Sequence, residues 1–192
     1  MSRHAEILET AARLFREHGF HGVGVDEIGK RVGISGPALY RHFSGKDEIL
    51  ATLLNEAMDK IAVETRGIFD DPHDELDFLV RHHAAFVVNN LELVAIYAHE
   101  HRSLVEPFRR MFTKRMREHA ARWERILGAC YPDAHPTDVA ITAQAAIGLL
   151  HSVVYWPHKL LDSPDIVERL HHQVLTGVSS LASAPVGASD GG

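Results

Sequence analysis

The chain is poor in features that mark several common protein classes. Among its 192 residues there is one cysteine, Cys130, so no intramolecular disulfide can staple the fold, and a chain of this length can bury a core without one. Strand signals are nearly missing, with no alternating apolar and polar runs between hairpin turns. There is no basic excess either: 20 Lys and Arg stand against 26 Asp and Glu, a net charge of −6, which excludes a uniformly basic nucleic-acid coat and leaves only a local patch for such a partner. The longest apolar stretch, residues 145–154, is interrupted by His151 and is too short to span a bilayer. The N-terminus, MSRHAEILETAARLF, scatters charges through an amphipathic pattern and does not read as a signal peptide. A Gly-x-Ser-x-Gly elbow, a phosphate-cradling Gly-rich loop and a metalloprotease helix are all absent. These absences lead us to expect a cytoplasmic protein without a membrane partner, catalytic residues or cofactor. A small helical enzyme is the disfavoured alternative.

What is present is helix after helix. Ile7, Leu8, Ala11, Leu14 and Phe15 recur at helical spacing, with Gly19 as a stop signal. Ile28 and Val32 place a short second helix over about 25–32, closed by Gly33. Ser35 then caps a third helix whose first turn accepts Pro37. Ser44 opens a fourth, with Asp47 in the capping-box position, and Leu50, Leu53, Leu54, Met58 and Ile61 give it an apolar face. Further apolar stripes include Leu76–Leu79–Val80–Phe86–Val87 and Phe108–Phe112–Met116–Trp123–Leu127. TDVAITAQAAIGLLHSVVYW is apolar nearly all round, so burial on more than one face is expected. A last helix carries Leu170, Val174 and Val178, and ASAPVGASDGG has the composition of a disordered tail. The expected class is all-α with about nine helices, divided into an N-terminal helical domain over 1–48, a larger helical domain over 49–183, and a tail over 184–192.

The stretch DEIGKRVGISGPALYRHF, residues 26–43, reads as a helix-turn-helix, whose second helix would enter a major groove. Ser35, Gly36, Pro37 and Ala38 are small enough for close approach to base edges and thymine methyls. Tyr40, His42 and Lys46 offer a hydroxyl, an imidazole and an ammonium to phosphates, while Leu39 and Phe43 pack inward. Over residues 1–48, Arg3, Arg13, Arg16, Lys30, Arg31, Arg41 and Lys46 are matched by Glu6, Glu9, Glu17, Asp26, Glu27, Asp47 and Glu48, so binding must rely on placement rather than bulk charge.

With AARLFREHGF, VDEIGKRVGIS and ALYRHFSGKDEIL in order, residues 5–54 resemble the DNA-binding domain of the TetR family of transcriptional regulators. The resemblance implies an all-α homodimer with three N-terminal DNA-binding helices and a helical ligand pocket. Carried over by position, it implies phosphate contacts at Tyr40, His42 and Lys46 and base-facing positions at Ser35, Gly36, Pro37, Ala38 and Arg41. The partner would be double-stranded operator DNA. Gly24-Val25-Asp26 departs from the family pattern, because Asp26 suits a helix N-terminus but would be repelled by phosphate.

Toward the C-terminus the expected four-helix dimer interface uses helices at about 136–156 and 164–182. Ala143, Ala146 and Gly148 would allow close approach, and Leu170, Val174 and Val178 would supply apolar area. His83, Asn90, Tyr97, Gln144 and His151 are polar residues on apolar faces, the pattern of a pocket for a hydrophobic effector with a few polar anchors; an acyl chain or acyl-CoA fits it. For any single one of them, an internally hydrogen-bonded core residue is the favoured reading. Gln144 and His151, seven apart, share a helix face. A metal-responsive regulator is the alternative reading of the fifteen histidines. His82-His83, His99-Glu100-His101 and His171-His172 lack ligand spacing between histidines, and Glu168 with His171 or His172 has it on a surface or interface helix. The function expected is a repressor released from its operator by a hydrophobic small molecule, through a change in separation of the two DNA-reading heads.

Overall fold

A computed structural model describes residues 2–183. Those residues form ten α-helices and three 3₁₀ turns, with no strand among them: α1 (Arg3–Gly22), α2 (Val25–Val32), α3 (Gly36–Leu39), α4 (Lys46–Glu64), α5 (Pro72–Asn89), α6 (Leu91–Glu100), α7 (Phe108–Cys130), α8 (Pro136–His151), α9 (His158–Leu161) and α10 (Ile166–Val178). The all-α class is as expected. The element beyond the expected nine is α9, a single turn between Pro157 and Pro164. The expected disordered tail lies outside the described residues.

Packing divides the chain into two compact units. One holds residues up to Lys60 together with Asn90–Arg115, and the other holds Ile61–Asn89 together with residues from Met116 onward.

In the first unit, α1 buries Ile7, Leu8, Ala11, Leu14 and Phe15, the apolar stripe read from its spacing. Its winding breaks at Gly19 (φ 70°), the residue expected as its stop, although helical winding resumes as far as Gly22. The backbone groups beyond that break are claimed by distant side chains. Lys46 Nζ donates to the carbonyls of Phe20 and Val23, each at 3.0 Å, and sits 4.6 Å from the centre of the Phe20 ring. The Phe20 N–H donates to Glu100 Oε1 on α6 at 3.1 Å. Between α2 and α3 the chain turns at Gly33 (φ 76°), a left-handed conformation in which an L side chain would be strained. Ser35 Oγ then accepts from the Ala38 N–H and caps α3.

Two local expectations are corrected. The third helix was expected to reach Phe43, but α3 proper stops at Leu39. Bonds from Tyr40 N to Gly36 O and from Phe43 N to Leu39 O, both 3.1 Å, still carry the winding on as turns. The capping carboxylate of α4 belongs to Glu48 rather than Asp47: the Ser44 N–H donates to Glu48 Oε2 at 2.5 Å. The longer side chain reaches back one residue further, and the backbone bond holds the Glu48 carboxyl below its usual range.

In the second unit α5, α8 and α10 pack on one another. Leu79, Val80, Ala84 and Val87 of α5, and Trp123, Ile126 and Leu127 of α7, are fully enclosed. Removing such a side chain from water contributes about 1.5–3 kcal/mol. Polar ties frame this core. Arg122 donates to Thr65 Oγ1 at 2.7 Å and to its carbonyl, Arg125 pairs with Glu75 at 2.8 Å, His171 meets Asp77 at 2.7 Å, and Arg81 pairs with Glu168.

Leu170, Val174 and Val178 of α10 are buried inside the chain itself, so they are core residues and not the dimer-facing area expected of them. Ala143 and Ala146 are likewise buried, whereas Gly148 is exposed. The apolar stretch judged too short for a bilayer extends through a 3₁₀ turn, and Pro136–Tyr155 is long and apolar enough to cross one by length and composition alone. Its Val139, Ala143, Ala146, Ile147, Leu150 and Val153 are buried within the protein.

The clamp at the end of α1 yields a test. Lys46→Met removes two charged hydrogen bonds to backbone carbonyls while keeping much of the stem, and should lower unfolding free energy by roughly 1–3 kcal/mol. An unchanged urea midpoint would show that the clamp adds nothing to the first unit.

Candidate functional site

Two groups of side chains stand out, one in each unit. The first is the surface built by α2, the Gly33 turn and α3. Burial of Ile28, Val32, Leu39 and Phe43 fixes these elements from below. His4 stacks on the Phe43 ring at 4.4 Å, adding support from α1 that sequence reading missed. Above this base Ser35, Pro37, Tyr40, Arg41 and His42 are exposed, while Gly36 and Ala38 are half-buried. Tyr40 keeps 56% of its surface open, although large aromatic side chains are commonly covered. Lys30 and Arg31, exposed at the end of α2, add positive charge on an adjoining segment.

Lys46 does not belong to this exposed set. It is half-buried with its ammonium committed to two carbonyls, so its first role is to position the break after α1, and one N–H remains for any phosphate. Asp26, the departure in the sequence pattern, faces α3: a Cβ placed on Gly36 would stand 2.6 Å from Asp26 Oδ1. A side chain at 36 would require the exposed Asp26 carboxylate to swing aside.

The second group is a cluster of rings in the other unit. His83 on α5 is fully buried. Its Nε2 faces Nε2 of His151, the last residue of α8, at 3.2 Å. Around it the ring centres of His119 and His151 lie at 5.2 Å and that of Trp123 at 5.7 Å. His119 and Trp123 are four apart on α7 and therefore share a face. His83 Nδ1, His119 Nε2 and Trp123 Nε1 are buried with no hydrogen-bond partner among the described residues. Burial pushes the His83 imidazole well below its ordinary range and those of His119 and His151 down to about 4. The cluster is therefore neutral at pH 7, and each imidazole there has one N–H and one lone pair.

Of the five residues read as pocket anchors, the structure brings only His83 and His151 together. Gln144 is exposed. It shares the azimuth of His151 but lies two turns earlier on α8, away from the ring cluster, so the expected shared pocket wall is not formed. Asn90 and Tyr97 belong to the other unit. There Asn90 Oδ1 accepts from Lys60 Nζ at 3.4 Å, and the Tyr97 ring stacks on His101 at 5.1 Å. His119 and Trp123 were missed as site residues because MREHAARW reads as a solvated face with one core aromatic. The i,i+4 pairing of His119 with Trp123 was the available signal. No group of three or more His, Cys, Asp or Glu side chains among the described residues is arranged to hold a metal ion. Cys130 is buried, and burial pushes its thiol up to about 11, far from a reactive thiolate.

Comparison with known proteins bears on both groups. The model for bacterial regulatory proteins of the tetR family matches residues 7–53, and that for the tetracyclin repressor-like C-terminal domain matches residues 70–160. The chain belongs to the TetR family. Among curated relatives, the HTH-type transcriptional repressor KstR2 of Mycobacterium tuberculosis is 34% identical over 97 residues, covering 45% of this chain and 48% of that one. The chain spans less than half the length of the first curated relatives it matches. The fold likeness is fuller. A bacterial regulatory protein of the tetR family from Rhodococcus superposes with a TM-score of 0.82 at 21% identity, over 94% of this chain and 97% of that chain. AibR, solved in complex with isovaleryl coenzyme A and operator DNA, superposes with a TM-score of 0.77 at 24% identity, over 93% and 97%. This TetR-family chain thus carries the family's DNA-binding fold on residues 7–53, with the exposed surface at Ser35–His42 inside it, and relatives of this kind are transcriptional regulators rather than enzymes.

The depressed histidines make stability depend on pH in a definite direction. In the unfolded chain they bind protons near pH 6.5, so stability is fully present above that value and is lost as the pH falls from about 6.5 toward about 4. His119→Gln, which cannot titrate, should flatten that loss. Thermal melts of both proteins between pH 7.5 and 4.5 with the same slope would show that His119 is not held neutral by burial.

Proposed function

We propose that this chain is a homodimeric transcriptional repressor that binds double-stranded operator DNA through α2, α3 and the turns to His42, and is released by a hydrophobic small-molecule effector. The observation that carries the reading is the exposure of Ser35, Pro37, Tyr40, Arg41 and His42 on a base locked by Gly33 and the buried Leu39 and Phe43. Small residues at the start of α3 let its backbone approach base edges, Arg41 suits a guanine edge, and the Tyr40 hydroxyl and His42 imidazole suit phosphate oxygens. Lys30 and Arg31 contribute to the electrostatic footprint that the chain's net charge does not supply.

The effector half of the proposal rests on the apolar interior of the second unit, interrupted by the unsatisfied ring cluster. A mostly apolar site with a few polar anchors suits a hydrophobic molecule with one polar end. AibR, of the same fold, was solved in complex with isovaleryl coenzyme A, a thioester with a short apolar acyl group. An acyl chain or acyl-CoA is the effector class we test first.

Dimerisation is supported by apolar surface on α8, α9 and α10 left open in the single chain. Ile141 is 61% exposed and Leu160 46% exposed, and Ala145, Gly148 and Gly177 beside them leave the backbone approachable. A groove of about 580 Å³ next to it is lined by Leu149, Trp156, Leu160, Ile166 and Leu170, with Lys159 and Arg169 also on its walls. A second copy laid on this face would bury the apolar area and place two DNA-reading surfaces at a fixed separation, to match half-sites about one helical turn or a multiple apart.

Genomic footprinting of the full chain would identify the operator, and anisotropy titrations on it would then test the orientation. Tyr40→Phe should weaken binding to operator and unrelated DNA alike, by about threefold to tenfold, whereas Arg41→Ala should cost about 1–3 kcal/mol on the operator alone. Full affinity in both variants would overturn the proposed docking surface. For assembly, Ile141→Arg should yield a folded monomer by sedimentation, since the exposed side chain is not needed for the core of one chain. A stable dimer in that variant would move the interface elsewhere.

A further inference from the structure

We infer that the ring cluster of His83, His119, His151 and Trp123 receives an uncharged hydrogen-bonding head group of the effector, a hydroxyl or a ketone, amide or thioester carbonyl. This rests on the reading of the chain as a ligand-responsive regulator and specifies the polar end of the ligand.

Three buried polar atoms around one imidazole lack partners: His83 Nδ1, His119 Nε2 and Trp123 Nε1. Each such atom is costly if it stays unsatisfied, and folded proteins tolerate few of them. Here they are concentrated on rings within 5.7 Å of the His83 centre. The indole N–H can only donate, so at least one partner must be an acceptor. The imidazoles can donate or accept according to tautomer, and the His83–His151 bond couples two of those choices. A carbonyl oxygen satisfies the fixed donor, and a hydroxyl satisfies the donor and a neighbouring lone pair. His83 and Trp123 are fully enclosed, whereas His119 and His151 each keep part of their surface exposed and form the outer side of the cluster.

Charge selects against the alternatives. The cation whose field reaches His83 and His119 is Arg122, and its guanidinium is spent on Thr65 Oγ1 and the Thr65 carbonyl. An anionic head would enter without an uncommitted cation to pair with it, and burying an unpaired charge is costly. A cationic head would find no carboxylate among the four rings and would be repelled by Arg122. A neutral head bears neither penalty.

The test uses the full chain with ¹⁵N-labelled histidine and tryptophan at pH 7.5, titrated with 1-octanol, octanamide, sodium octanoate and octylamine, which share a chain and differ in head. Octanol and octanamide should move the Trp123 indole N–H and the imidazole signals, leave the Trp156 indole unmoved, and bind about tenfold tighter than octanoate or octylamine. Trp123→Phe assigns the indole signal, and His119→Leu should reduce the preference for neutral heads while a normal thermal melt certifies its fold. The inference is overturned if octanoate or octylamine binds as tightly as octanamide, if no probe moves the Trp123 signal, or if the protein carries stoichiometric zinc on these imidazoles. Operator binding by the ligand-free protein is measured separately. Its absence would sink the regulator reading and leave the titration interpretable, whereas intact operator binding with no preference for neutral heads would sink this inference alone.

Discussion

The surface at Ser35–His42 is only as well placed as the chain break at the end of α1. Past Gly19 the helix can no longer satisfy its own backbone, and Phe20 and Val23 present two carbonyls and an N–H to side chains from elsewhere. A cation takes the carbonyls and an anion takes the N–H: Lys46 at 3.0 Å to both oxygens, Glu100 at 3.1 Å to the nitrogen. The two partners come from α4 and α6, far from α1 in sequence. The turn into α2 is therefore set by long-range contacts of opposite sign, and the helix-turn-helix hangs from it.

The second unit shows the opposite condition. Its framing polar groups are partnered: Arg122 with Thr65, Arg125 with Glu75, His171 with Asp77. Against that well-satisfied frame the His83 neighbourhood is the exception, with three unmet atoms in one small volume. Among the described residues the unmet polar side-chain atoms of the core are thus gathered at one place, while the ion pairs and hydrogen bonds around it are made.

Much of the fold was legible in the sequence because helix periodicity and punctuation are local signals. The α1 stripe, Gly33 as a left-handed stop and Ser35 as a cap could all be read from nearest neighbours. The misses are of another kind. Glu48 replaced Asp47 because reach, not position, decides which carboxylate closes the cap. Lys46 looked like a surface cation because nothing near it in sequence reveals the two carbonyls waiting after α1. Leu170, Val174 and Val178 were assigned to a partner when the chain's own α5 and α8 cover that helix. Gln144 and His151 share an azimuth, but azimuth says nothing about which end of a helix is covered. The ring cluster was half legible: His83 and His151 were singled out, while His119 and Trp123 became meaningful only once α5, α7 and α8 were placed in space.

The contact between Gly36 and Asp26 bears on how such a protein could acquire a new operator. The first turn of α3 is where a longer side chain would most directly read a new base. A Cβ at position 36 would stand 2.6 Å from the Asp26 carboxylate, so any side chain there requires that exposed carboxylate to swing aside. A side chain at 36 is thus coupled to the rotamer of residue 26, ten residues earlier and on the preceding helix, whereas Pro37 and Arg41 are simply exposed. A change of side chain at 36 therefore carries the orientation of residue 26 with it, and joins two helices in one local adjustment.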